Sequence, residues 1–236
     1  MLCISYLLLF IFLPYLTWLF PSEETGFLIL LLLPFLSFLE LPVFRFKKRE
    51  LIIRLNFAGC VFPLAISGYL AWENNLLGPL CILVPFASLC IFWLSNNSRS
   101  GVTLSILESV GLLIVATILF CYLIYPSTSY YLPSVFLIPS YILRFPETVA
   151  ITGFFTGSWG TFLGADLINL LLSIPAYSYN NRTFEKIIFV KQRLMVMNRT
   201  IISIGGAGIA DAIFLCGIYV GFYCFLIAKV IVYFSY

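Results

Sequence analysis

Two aspartates are the residues in this sequence whose type and setting most suggest chemistry. Asp166 and Asp211 are the only aspartates of the chain, and each lies in a glycine-rich apolar run, GSWGTFLGADLINL or SIGGAGIADAIFLCGI. Two carboxylates held a few ångströms apart in a partly desolvated site share a proton. One can then deprotonate water while the other donates to a substrate carbonyl, as in aspartic proteases. The sequence therefore predicts a paired-carboxylate catalytic site at these two residues.

The positions of the two aspartates agree with such a pairing. A polar loop, Ala176–Thr200, separates them, and both lie about ten residues from it along the chain. At about 1.5 Å per helical residue, each aspartate is roughly 15 Å from the loop. Antiparallel neighbouring helices would bring both carboxylates to the same depth.

Small and polar residues near the aspartates form patterns of their own. Gly153, Gly157, Gly160 and Gly164 fall within about 60° of arc at ~100° per residue, a stripe suited to close helix packing. A second arc holds Asp166, Asn169 and Ser173, which would line a wet cleft. The glycines before Asp211 would leave room for a substrate backbone. The predicted supporting residues are Gly164, Asn169, Ser203, Gly205, Gly206 and Gly208.

The elements that must position these residues are membrane-spanning helices. The chain has 236 residues, of which 62% are hydrophobic and 10% charged, and its mean hydropathy is +1.07. Many of its apolar runs reach the roughly 20 residues needed to cross a bilayer. We expect a single all-α transmembrane domain over residues 1–236. The first five predicted spans are 2–20, 26–44, 51–72, 76–94 and 101–124.

The number of spans depends on one segment. Tyr130–Leu143 is short for a span and holds two interior prolines, which predicts a re-entrant or broken segment. An apolar run from Pro146 to Pro175 and a final run after Thr200 follow, so we expect seven spans. Eight spans are the alternative, supported by the NRT glycosylation patterns at Asn181 and Asn198.

Basic residues predict the orientation in a cell membrane. Arg45, Lys47, Lys48 and Arg49 place the second loop in the cytoplasm, and five basic residues do the same for Ala176–Thr200. Thirteen lysines and arginines, spread along the chain, do not form a nucleic-acid surface. The expected partners are therefore the lipid bilayer and a transmembrane peptide substrate, without nucleic acid.

Other polar residues in the predicted spans are further candidates, because polar side chains in a bilayer are costly. Glu40 and Arg54 lie near span ends, where their side chains can either extend to the membrane surface or pair with each other. For Asn56 and Glu108, a structural and a functional role are both open. The seven cysteines form no CxxC pair and lack histidine partners, which predicts core packing and no metal or cofactor site.

Three stretches resemble a family of uncharacterised archaeal and bacterial membrane proteins. They are GSWGTFLGADLIN (157–169), SIGGAGIADAIFLCGI (203–218) and NFAGCVFPLAISGYL (56–70), and the resemblance extends from about residue 37. The chain departs from the family pattern at Ala210 and Ala212, where an aromatic residue and a glycine are expected. The resemblance implies a shared site but no established activity.

The layout of the two aspartates is also similar to that of presenilin and signal peptide peptidase. That class carries one aspartate in a helix and the second in a GxGD motif on the next. Here Asp211 follows the nearby glycines at a longer spacing, and the Pro-Ala-Leu element of that class is absent. The likeness concerns the layout of the site and not common descent.

Three functions therefore remain open from the sequence. The first is an intramembrane aspartic protease that cleaves membrane-embedded peptides. The second is an ion- or proton-coupled transporter, since membrane carboxylates and a broken segment are frequent in transporters. The third is a non-catalytic assembly subunit whose glycine stripe binds a partner helix.

Overall fold

The computed structural model describes residue 24 and residues 31–33, 35–46, 51–98, 101–124, 146–171, 201–207 and 211–234. Within these ranges the chain is mostly helical, as the sequence predicts. The predicted span 2–20, the predicted re-entrant segment Tyr130–Leu143 and the loop Ala176–Thr200 lie outside the described residues.

The helices form a bundle around one central member. A short π-helix, π1 (Phe57–Val61), continues into α1 (Phe62–Glu73), and α2 (Leu77–Leu94) and α3 (Ile106–Ile124) follow. The central helix α4 (Pro146–Thr161) continues into a second π-helix, π2 (Phe162–Ile168), and the last helix is α5 (Ala212–Phe234). Nearly all residues of α4 are buried, because α1, α2, α3 and α5 all pack against it.

Among the described residues, five short strands accompany the bundle, and the sequence did not predict them. β1 (Glu40–Phe46), β2 (Leu51–Asn56) and β5 (Ile201–Ile204) form one sheet in the order β1-β2-β5. β1 and β2 pair antiparallel, whereas β2 and β5 are parallel, with Arg54 opposite Ser203. β3 (Asn96–Ser98) and β4 (Gly101–Thr103) form a hairpin between α2 and α3.

These strands correct the predicted span boundaries. The predicted span 26–44 ends in β1, the predicted span 51–72 begins with β2, and the final apolar run begins with β5. The stretches LIIRLN and IISI are rich in β-branched residues, which favour strands. Periodicity cannot distinguish a short apolar strand from a piece of buried helix, and this ambiguity produced the error.

The three-stranded sheet covers one end of the bundle, which we call the sheet end. β2 leads directly into π1 and α1, and β5 precedes α5, so both helices begin there. Ile53 and Ile204 on the inner face of the sheet pack against Cys60, Leu170 and Ile213 of the bundle. The sheet therefore forms a cap over the helix termini.

Among the described residues, two helices are long and apolar enough to cross a membrane. They are Leu77–Leu94 in α2 and Ala212–Tyr233 in α5. Phe57–Glu73 and Ile106–Cys121 are apolar but shorter. At ~1.5 Å per residue, the 22 residues in α5 extend about 33 Å, comparable to a hydrocarbon core of ~30 Å.

Candidate functional site

The glycine stripe of α4 brings neighbouring helices into backbone contact. A Cβ atom on Gly157 would lie 2.5 Å from the Cys216 carbonyl oxygen, and one on Gly153 would lie 3.0 Å from that of Val220. Since Gly153 meets the later residue of α5 and Gly157 the earlier one, α4 and α5 are antiparallel. The predicted close packing is confirmed.

The other half of the stripe faces a different helix. A Cβ on Gly160 would meet Ala87, and one on Gly164 would meet the Ser88 carbonyl oxygen and Ile91, all in α2. Gly164, a predicted supporting residue, therefore serves close packing between π2 and α2. The contact also shows that α4 and α2 run in the same direction.

This packing brings the two aspartates to the sheet end. Asp166 lies in π2, which continues α4, and Asp211 directly precedes α5. The two carboxylates lie close enough for their charges to interact, and both act on the thiol of Cys60 in π1. Three elements that are distant in sequence therefore meet around the aspartates beneath the sheet.

Asp211 occupies the N-terminal cap of α5. Its Oδ1 atom accepts a hydrogen bond of 3.1 Å from the Ile213 backbone N–H, and the Ala207 N–H group lies near the same side chain. Its carbonyl oxygen accepts from Leu215 N–H at 2.9 Å. Aspartate is a favoured cap because it satisfies N–H groups that have no partner within the helix.

The cap position corrects the predicted depth of Asp211. The sequence placed this residue roughly 15 Å along a helix that begins after Thr200. In the structure, β5 and the turn after it occupy that part of the chain, and the first helical residue is Ala212. Asp211 therefore lies at the end of a helix and not in its middle.

Asp166 lies in a seven-residue π-helix, which is an unusual backbone. π-helical segments are rare and often occur at functional sites. Asn169, from the predicted polar arc, is only 3% exposed, and its Nδ2 donates to Ser95 Oγ at 2.8 Å and to the Ala165 carbonyl at 2.7 Å. Asn169 thereby ties the end of π2 to the end of α2.

The glycines before Asp211 differ in their environments. Gly205 has a φ of 73°, and a Cβ there would lie 2.7 Å from the Cβ of Cys60. Its missing side chain is used for packing of the turn against π1. Gly206 is exposed, and Gly208 lies outside the described residues.

Ser203 belongs to a polar cluster on the outer face of the sheet. Its hydroxyl donates to Glu40 Oε1 at 2.7 Å, and Arg54 Nη1 donates to Glu40 Oε2 at 3.0 Å. Of the two roles that the sequence left open for Glu40 and Arg54, the structure shows the pairing. The hydrogen bond from Ser203, followed by that from Arg54, lowers the pKa of the Glu40 carboxyl below its usual value.

The remaining polar candidates have separate positions. Asn56 is 1% exposed and caps π1, since its Oδ1 accepts from Gly59 N–H at 2.9 Å and its Nδ2 donates to the Ser37 carbonyl at 2.6 Å. Glu108 is exposed in the first turn of α3, where the positive end of the helix dipole stabilises a negative charge. The sequence left both roles open.

Cys60 is the residue of this site that sequence reasoning missed. It was counted with the cysteines that pack in the core, and it is indeed fully buried. Its position in the stretch NFAGC, which carried one of the family resemblances, was the available indication. Among the described residues, no group of His, Cys, Asp or Glu is arranged to hold a metal ion.

The fold and site define a class of mostly helical protein with membrane-length helices and two interacting carboxylates under a small sheet. Residues 23–222 match the family described as Protein of unknown function (DUF1614), and the chain belongs to that family. No curated protein and no solved structure matches the chain.

Proposed function

We propose that the protein is a multi-pass membrane peptidase in which Asp166 and Asp211 cleave membrane-embedded peptides. The observation that carries the proposal is the placement of these two carboxylates, one in π2 and one at the cap of α5, near each other at the sheet end of the bundle. An interacting carboxylate pair supports proton exchange between an acid and a base.

The outer surface of α2 supports the membrane setting. Ile82, Phe86, Leu89 and Trp93 are each more than half exposed, and their spacing of three and four residues puts them on one side of the helix. The opposite side, including Leu83, Ala87 and Ile91, is buried in the bundle. A surface helix of a soluble protein has a polar outer side, so an apolar one favours contact with lipid.

The helix directions support a predominantly cytoplasmic sheet end. Eleven of the 13 lysines and arginines, all but Arg144 and Lys229, lie in the sheet or between elements that end at the sheet end. Such an asymmetry is typical of the cytoplasmic side. Moreover, α3 ends and α4 begins at the opposite end, which agrees with the seven-span arrangement.

The hydrogen bonds suggest different roles for the two aspartates. Two backbone N–H groups stabilise the charged form of Asp211, so we assign it as the base that takes a proton from water. Asp166 is the acid. The water oxygen bonds to the peptide carbonyl carbon, the carbon–nitrogen bond breaks, and the amine leaves with a proton from Asp166.

The test uses Asp166→Asn and Asp211→Asn in purified protein in lipid nanodiscs, assayed with a library of transmembrane peptides. We expect each variant to lose cleavage by at least 100-fold while the thermal melting profile is retained. Glu108→Gln, which changes an exposed acid outside the site, is the matched control. Full cleavage by either aspartate variant, or cleavage by none of the proteins, would exclude the proposed mechanism.

A proton- or ion-coupled carrier is the second candidate, favoured by the hydroxyl groups along α4. Thr152, Thr156, Ser158 and Thr161 are all buried, and they extend along the helix that leads to Asp166. A carrier requires such polar side chains along its path. Proteoliposomes that release no peptide but acidify in response to a proton gradient, with loss in Asp166→Asn, would favour it. Loss of folding in both aspartate variants would instead indicate a structural pair.

A further inference from the structure

The outer face of the sheet carries a hydrogen-bonded group that joins all three strands. Glu40 is in β1, Arg54 in β2 and Ser203 in β5. Each carboxylate oxygen of Glu40 accepts from a different strand, from Ser203 at 2.7 Å and from Arg54 at 3.0 Å. We call these three residues the strand clamp.

The strand clamp holds the shortest strand of that sheet. β5 has four residues, and among the described residues its pairing is with β2 alone. Parallel pairing is slightly weaker per residue than antiparallel pairing. A side-chain link from Ser203 across to β1 therefore adds a lateral restraint that the backbone ladder of β5 does not provide.

Ser203, which the clamp restrains, is close in sequence to Asp211, the cap of α5. Two residues after Ser203, Gly205 turns the chain with a φ of 73° against Cys60 and Gly59. Two residues further, the Ala207 N–H group lies near the Asp211 carboxylate and favours its charged form. The segment from Ser203 to Ala207 is thus fixed by Glu40 at one end and meets the aspartate at the other.

We propose that Glu40 is a positioning residue for Asp211, acting through Ser203 to set the place of the Ala207 N–H group. Movement of β5 would shift that donor away from the carboxylate and change the direction in which Asp211 faces Asp166. Glu40 lies on the outer face of the sheet and acts only through this chain of contacts. The assignment extends the proposed peptidase function, but its first readout does not depend on that function.

The first test measures hydrogen exchange of the Ala207 amide in nanodiscs. Ser203→Ala and Glu40→Gln should each increase the exchange rate at Ala207 at least fivefold more than they increase the rates of amides in the middle of α4 and α5, which follow only the small change in global stability. Ser203→Thr retains the hydroxyl group and should restore slow exchange. Glu73→Gln, an exposed acid at the opposite end of the bundle, is the matched control and should change nothing.

The outcomes separate positioning from general stabilisation. An unchanged rate at Ala207 in both Ser203→Ala and Glu40→Gln overturns the proposal. Equal acceleration throughout α4, α5 and the turn also overturns it, because the clamp would then stabilise the whole fold.

A second test uses cleavage, where the wild type cuts a peptide. Ser203→Ala should lower kcat about tenfold and leave KM within twofold, since positioning of Asp211 affects the chemical step. A change confined to KM would contradict the positioning role. Accelerated exchange at Ala207 in a protein that cleaves no peptide supports the clamp and rejects the peptidase function, so the two failures are distinguishable.

Discussion

At the scale of single residues, the site contains two carboxylates and several residues that stabilise the backbone around them. Asp211 is a helix cap, and Gly205 uses its missing side chain to pack the preceding turn. Asn56 and Asn169 satisfy backbone and hydroxyl groups at the ends of helices. Polar residues that looked functional in the sequence therefore include several that hold the backbone in place around the aspartates.

Substitution of Gly205 tests the packing of that turn. Gly205→Ala should lower the free energy of unfolding by about 1–3 kcal/mol, since a Cβ there requires an unfavourable φ and meets Cys60. Gly111→Ala in α3, where a Cβ would meet nothing within 4 Å, should be neutral or slightly stabilising. Denaturant unfolding in detergent measures both, and equal stability of the two variants would contradict the close packing.

The ionised form of Glu40 predicts a pH dependence. The lowered pKa of Glu40 in the folded state means that its contribution is present above the usual value of 4.5 and is lost as pH falls below it. Glu40→Gln should cost about 0.5–1 kcal/mol at pH 7, because the pair is partly exposed to solvent. The difference from wild type, measured by unfolding at pH 7 and pH 3.5, should shrink at the lower pH. If wild type and Glu40→Gln differ in free energy of unfolding by the same amount at both pH values, the charge of Glu40 does not contribute to stability.

At the scale of elements, the contact between α4 and α5 determines where the aspartates lie. The antiparallel direction places the continuation of α4 beside the start of α5, and the glycines allow the backbones to approach. The two π-helices then bring Cys60 and Asp166 into the same region. The site is therefore built at the ends of elements.

Bulky side chains on the stripe should separate these elements. Gly157→Leu and Gly164→Leu would drive a side chain into the backbone of α5 and of α2, respectively, and should cost at least about 3 kcal/mol or prevent folding. Leu171→Ala removes a side chain that is 56% exposed and should have little effect. Yield and monodispersity after detergent extraction measure the difference. Normal extraction of the leucine variants would mean that the stripe does not pack in the membrane.

At the scale of the whole molecule, the termini of the described helices lie at two opposite ends of the bundle. The sheet end carries the strands and the aspartates, whereas the turn between α1 and α2 lies at the opposite end. Most of the lysines and arginines lie, in the sequence, within the sheet or between elements that end at the sheet end. In the orientation proposed above, a bilayer around the bundle would place the site near the cytoplasmic interface. Water could then reach the aspartates without crossing the hydrocarbon core.

Cysteine labelling tests this orientation. In a cysteine-free background, Ser105→Cys at the sheet end should react with a membrane-impermeant maleimide only in inverted vesicles. Asn75→Cys, in the turn at the opposite end, should react in intact cells and serves as the matched control. The reverse pattern would place the sheet end outside the cell, and labelling of both residues from one side would exclude a bundle that crosses the bilayer.

The sequence by itself determined the helical class and the glycine stripe, and it offered the pairing of Glu40 with Arg54 as one of two possibilities. These depend on composition, helical periodicity and opposite charges at apolar run ends, which are local properties of the chain. It also identified two aspartates that interact in the structure. It did not determine the depth of Asp211, because the four residues of β5 look the same whether they extend a helix or pair as a strand.

Only the tertiary structure decided which distant residues share an environment. The parallel pairing of β2 with β5 aligns Arg54 with Ser203, and the direction of α5 against α4 puts Cys60, Asp166 and Asp211 together. Neither arrangement has a local pattern, because each arises from contacts between segments that are far apart in the sequence. The hydrophobic effect stabilises these arrangements, because it favours burial of apolar strand residues such as Ile53 and Ile204 against the end of the bundle.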